Sequence, residues 1–191
     1  HLAHDEKGNI TSSLRRNRLV KRGNCFKWIG AVHEYLEVGG FIVNSDIAIT
    51  HCAIHHDSDR NLHIYAERMA KGEVFSPRDL YYYANELYEH SKHEDAITFY
   101  QKFLNTKQGW VEDNIAACGK AADCFLALNS PEKHLEYIYK SFDYDTPRAE
   151  FCCRLGFYYL QKNLLKQAVF WYKIASELEK PADCWGMMNH A

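Results

Sequence analysis

The chain has 191 residues, 47% of them hydrophobic and 25% charged, the balance of a packed globular protein and not of a disordered one. Its 23 Lys and Arg against 25 Asp and Glu leave a formal net charge of −2, which excludes a global field for nucleic acid or an anionic membrane and makes any basic site local. No apolar run approaches the roughly 18 residues of a membrane span, and His1-Leu2-Ala3-His4-Asp5 lacks the charged-then-apolar order of a signal peptide, so a soluble, cytoplasmic chain is expected. The 7 cysteines, odd in number and without a Cys-x-x-Cys pair, read as reduced thiols, mostly small buried hydrophobes. The start at His1 and the stop at Ala191 read as cuts from a longer protein.

Residues 1–54 read as a β-rich section. Asp5-Glu6-Lys7-Gly8-Asn9 is a turn cluster. Five of the eight residues from Arg15 to Arg22 are basic; Arg15, Arg16 and Arg18 are candidates for a phosphate or diphosphate, or else they protect a solvated edge strand. Phe26 to Glu34 follows, with His33-Glu34 as a possible metal or phosphate contact in which Glu34 orients the imidazole or acts as a base; the other reading is a structural pair. Val32, Tyr35, Leu36 and Val38 before Gly39-Gly40, and Phe41, Ile42, Val43, Ile47 and Ile49 after it, predict two or three strands. Those are too few for a stable sheet alone, so the section is expected to complete a larger one. His51, His55, His56, Asp57 and Asp59 carry metal-ligand side chains, either for zinc or as a polar linker. Residues 55–75 form that linker and a connecting helix over 61–71, stopped by Gly72.

From residue 76 to 191 the period becomes helical, and an internal repeat is its strongest feature. Ser76-Pro77 supplies a helix start, then Ala84, Leu87, Ala96, Tyr100 and Phe103 recur in spacing as Leu155-Gly156, Tyr159, Ala168, Tyr172 and Ala175. A degenerate middle copy is expected over 114–147, with Ala121, Ala122, Leu126, Leu135, Tyr139 and Phe142 as packing residues. Gly156 or Ala84 allows close helix approach, and Tyr172 or Tyr100 fills the space between pairs. These spacings define a tetratricopeptide array: three helix pairs, right-handed and superhelical with a concave face, and a truncated fourth from Ala182. His90, His93 and His134 are expected at solvent-facing helix ends, and one of Tyr81, Tyr82 and Tyr83 is expected to be exposed, because consecutive helical residues cannot share a face. The fold class is therefore mainly α, preceded by a small β-rich segment.

Trp28-Ile-Gly-Ala-Val-His-Glu-Tyr-Leu-Glu-Val-Gly-Gly40 resembles the closing segment of the GT-A catalytic domain in bacterial family 2 glycosyltransferases that carry a tetratricopeptide tail. The order of parts agrees: an arginine-rich stretch, a Trp-x-Gly-x-Val-His-Glu motif, a final strand, an Arg60-Asn61 helix, then repeats. The resemblance implies sugar transfer from a nucleotide-diphosphate donor with a divalent metal, Mn or Mg, at the diphosphate. It implies His33 near the metal or diphosphate, Glu34 supporting it or shaping the acceptor site, Trp28 stacking on a sugar or acceptor, and Arg15, Arg16 and Arg18 on phosphates. The repeats would hold a peptide or protein partner or form a homodimer. The family's nucleotide-binding half, with its Asp-x-Asp motif, is absent from these residues, so the fragment alone is not expected to catalyse. A non-enzymatic tetratricopeptide adaptor is the alternative.

Overall fold

The computed structural model describes residues 2–4, 10–13, 17, 19–45, 47, 59–179 and 188–189. They fall into two compact units, residues 1–58 with 181–191, and residues 59–180. The chain is mainly helical, with small antiparallel β elements.

In the first unit, β1 (Leu2–His4) pairs antiparallel with β2 (Ile10–Ser13), with a shift in register between Ala3 and His4. A two-residue strand late in the chain, β5 (Met188–Asn189), pairs antiparallel with the other edge of β2. These residues were expected to belong to a fourth repeat, and they lie in a strand instead. A separate hairpin joins β3 (Lys27–Ile29) to β4 (Tyr35–Glu37). In the described part of the second run of expected strands, residues 41–45 and 47 adopt no regular structure and Phe41 is 95% exposed; Ile49 lies outside the described residues. β-branched composition favours a strand only where a neighbour pairs with it. Val32 is a buried hydrophobe of this unit.

The second unit opens with α1 (Arg60–Ala70), which ends before Gly72 at φ +75°. Six further helices follow: α2 (Pro77–Glu89), α3 (His93–Thr106), α4 (Val111–Ala127), α5 (Pro131–Lys140), α6 (Ala149–Gln161) and α7 (Leu165–Glu177). Their starts follow from sequence. Ser76 caps α2, Pro77 and Pro131 occupy first-turn positions, and acids stand in the first turns of α3 and α4. Ser91, Asn129 and Asn163, all near φ +56°, end α2, α4 and α6 and turn the chain back within a few residues. The results are three helical hairpins, α2/α3, α4/α5 and α6/α7, with α4 packed across both helices of the first.

The hairpins are equivalent in detail. Ala84 and Gly156 each stand twelve residues before Ala96 and Ala168, and all four are buried. A Cβ on Gly156 would lie 2.9 Å from the Tyr172 ring, so the close approach expected there is present. The middle hairpin obeys the same spacing one residue earlier than the sequence reading placed it. The expected Ala121 and Ala122 are buried, and on the second helix His134, Ile138 and Ser141 are buried, whereas Leu126 and Tyr139 are exposed and Leu135 and Phe142 only half-buried. His134, expected at a solvent-facing end, instead takes the place of Ala96 and is 7% exposed; its Nδ1 lies 2.9 Å from the Ala122 carbonyl oxygen. One hydrogen bond to the backbone lets a polar ring replace alanine in the core.

Of the described cysteines, Cys118, Cys124 and Cys152 are fully buried, as expected of small hydrophobes, whereas Cys25 and Cys153 are exposed. Burial pushes the Cys118 thiol up to about 12 and the Cys124 thiol up to about 11, so neither supplies a thiolate nucleophile at neutral pH. Tyr81 and Tyr83 are buried, while Tyr82 is half-exposed beneath the Arg78 guanidinium, 4.6 Å from its ring centroid.

Candidate functional site

The β3–β4 hairpin carries three of the candidate side chains. Its register sets Lys27 opposite Glu37, Trp28 opposite Leu36 and Ile29 opposite Tyr35, so Trp28 and Leu36 share one face and the Lys27–Glu37 pair lies on the other. The connection runs over 30–34 and turns on two left-handed residues, Gly30 at φ +100° and His33 at φ +52°. Such a backbone costs a non-glycine residue about 1 kcal/mol, and histidine is among the types that accept it most readily. Within the loop Val32 is 4% exposed; burying that side chain holds the turn in place.

Continuing the register, Gly30 faces Glu34: a Cβ on Gly30 would lie 3.7 Å from the Glu34 Cα and 3.2 Å from the Val32 carbonyl oxygen. The space a side chain at Gly30 would need is taken by the backbone of Val32 and Glu34, so glycine lets the turn close tightly between Trp28 on β3 and Glu34 just before β4. Trp28 is 60% exposed, and His33 and Glu34 are exposed at the turn. An exposed indole offers an apolar plane beside polar hydrogen-bonding groups, which suits a ring with apolar faces and equatorial hydroxyls.

Arg15, Arg16 and Arg18 lie outside the described residues, as do His51, His55, His56 and Asp57. Lys21 and Arg22, from the same basic run, are exposed around a single 3-10 turn, Arg22–Asn24. Among the described residues no three His, Cys, Asp or Glu side chains converge as a metal site would require. His33 and Glu34 are two of the three or four ligands such a site takes.

The helical unit holds a polar cluster that sequence reading missed. The buried Asn85 Oδ1 accepts hydrogen bonds from the Tyr100 hydroxyl at 2.8 Å and from the Lys120 Nζ at 2.9 Å. Burial pushes the Lys120 ammonium below the ordinary lysine range, against the raising influence of Glu89 and Glu86. Its hydrogen bond to Asn85 is thus to a neutral amide. Nearby, Arg154 meets Asp123 through both nitrogens, at 2.8 and 3.2 Å, and the Gly119 carbonyl at 3.2 Å. Helical periodicity puts Asn85 and Lys120 on their helices' packed faces, but only the 35-residue separation closed by the fold makes them partners.

Comparison of the chain with protein-family models and with curated proteins gives no match.

Proposed function

We propose that the chain is the C-terminal portion of a glycosyltransferase that moves a sugar from a nucleotide-diphosphate donor, its helical unit being a tetratricopeptide array for acceptor or partner binding or for dimerisation. The observation that carries this reading is the β3–β4 hairpin, which holds an exposed Trp28 on its first strand and an exposed His33 and Glu34 at its turn. The indole receives the apolar face of a sugar or acceptor, and the Glu34 carboxylate accepts hydrogen bonds from hydroxyls. His33, an imidazole at the turn, meets the leaving diphosphate. Arg15, Arg16 and Arg18 belong to the same reading as phosphate contacts, and so does a divalent cation, Mn or Mg, whose other ligands come from outside the described residues.

The test is nucleotide-sugar hydrolysis and transfer by the complete enzyme, with and without manganese. His33→Ala and Glu34→Gln are expected to lower kcat by about a hundredfold, the low end for a positioned acid, base or charge-stabilising group, while Trp28→Ala raises KM. Transfer that survives both His33→Ala and Glu34→Gln unchanged refutes this assignment.

A second reading, a non-enzymatic adaptor binding a peptide or protein, is favoured by the Lys120–Asn85 cluster, a half-buried cation without a carboxylate at hydrogen-bond distance among the described residues. Under it the hairpin variants leave partner binding unchanged and no transfer is found in any variant.

A further inference from the structure

The first and third hairpins are equivalent, yet their outer faces differ. Tyr100 and Tyr172 stand four residues after Ala96 and Ala168, and Ile97 and Val169 stand one residue after them. Tyr100 is 0% and Ile97 8% exposed in the hairpin that α4 packs across, whereas Tyr172 is 38% and Val169 66% exposed. Leu165, Val169 and Tyr172 repeat at the four-then-three spacing of a packed helix face. Phe157 and Leu160 on α6, both exposed, lie alongside, since Tyr172 sits against Gly156. This face presents to solvent what the first hairpin presents to α4.

Its charge selects the occupant. From residue 151 to 176 there is no Asp or Glu, and Lys162, Lys166 and Lys173 border the apolar stripes. Lys166 and Lys173 flank Val169 and form no ion pair among the described residues. A second copy docked by two-fold symmetry would set this lysine rim against itself. We propose that the outer face of α6 and α7 docks an amphipathic α-helix of a partner protein, one with a stripe of small apolar residues flanked by carboxylates. Small residues are required because α4, in the equivalent seat, closes on its neighbours with the fully buried Ala117, Ala121 and Cys124. The proposal rests on the partner-binding part of the reading above, and it involves none of the hairpin residues.

The experiment uses the complete protein and two synthetic helices with the same Ala/Leu stripe, one flanked by Glu and one by Lys, titrated by fluorescence anisotropy. The Glu-flanked helix is expected to bind about tenfold or more tightly than the Lys-flanked one. Val169→Asp, a change at an exposed site, is expected to remove binding while the thermal unfolding midpoint stays in place, and Lys166→Glu with Lys173→Glu is expected to invert the preference. Equal binding of the two helices, binding indifferent to Val169→Asp, or a face already closed to both helices overturns the proposal. So does a dimer, seen by sedimentation, that Val169→Asp dissociates. The hairpin variants His33→Ala and Glu34→Gln leave peptide binding unchanged, so this proposal and the transfer reading fail separately.

Discussion

His90 shows how a single residue can be read from its hydrogen bonds. Its Nδ1 lies 2.7 Å from the Glu86 carbonyl oxygen and its Nε2 2.9 Å from the Asp59 carboxylate. Both neighbours are acceptors, so both ring nitrogens donate only in the imidazolium form. The bond to the Glu86 carbonyl is the largest influence; burial opposes it, and the bond to Asp59 with the Asp59 charge adds to it, so His90 is held above the ordinary histidine value of 6.5. The position at the end of α2 also favours a cation. Because the folded pKa exceeds the unfolded one, the stabilisation is fully present below 6.5 and is lost as pH rises through the folded value. The pair is part-exposed, so its worth is below about 1 kcal/mol. Thermal unfolding of the chain and of His90→Asn is expected to show a stability gap at about pH 6 that closes by about pH 8, the range over which histidine changes charge. A gap independent of pH would show that the neutral ring does the same work.

At the scale of elements, the start of α2 carries more than its own cap. Ser76 Oγ accepts from the Asp79 amide at 3.1 Å, and the Asp79 carboxylate accepts from the Ser76 amide at 3.2 Å, a complete capping box. The same carboxylate accepts the Arg68 guanidinium at 2.7 Å, tying α1 to α2. Burial alone would raise Asp79, but the bonds from Arg68 and Ser76 outweigh it and hold the carboxyl below the carboxylate range. Ser76→Ala is therefore expected to cost about 1 kcal/mol in denaturant unfolding, and Asp79→Ala more, since it also takes from the half-buried Arg68 guanidinium one of its two carboxylate partners, leaving Glu73 at 2.8 Å. Equal losses would separate the cap from the α1 contact. This element was legible in sequence because serine and proline act locally. The middle hairpin was legible only in part: its buried histidine at position 134 looks polar in any pattern, and discounting it moved the apparent register by one residue. The strand run beyond Gly39-Gly40 was misread for the opposite reason, since its composition suits a strand but pairing is not a local property. Trp28, His33 and Glu34 were visible as a motif, but their placement on one hairpin and its turn came only from the register and from the left-handed Gly30 and His33. The Asn85–Lys120 contact had no sequence signal beyond two polar residues on packed faces.

For the molecule as a whole, the two units differ in what they bury. Tyr65, Tyr100, Phe103, Ile138 and Leu155 are all nearly or fully enclosed, and every one lies between residues 59 and 180. The ion pairs that tie the helices, Arg68–Asp79, Arg148–Glu112 at 2.6 Å and Arg154–Asp123, are internal to the same unit. The first ties α1 to α2, and the other two tie α6 and its cap to α4, so neighbouring elements are coupled and the helices are expected to unfold together. The described β elements are short, and a strand pair of three residues each does not hold together alone. Residues 59–180 expressed by themselves are therefore expected to keep a strong helical circular dichroism signal and to melt in one cooperative transition, whereas residues 1–58 by themselves are expected to show no cooperative transition. The helical end face of Val169 and Tyr172 remains exposed in the shorter chain, so adding the Glu-flanked helix should raise its unfolding midpoint by mass action. A broad, gradual melt of residues 59–180 would mean that the stack depends on residues of the β unit, and the helices could then no longer be treated as a self-sufficient scaffold for a partner.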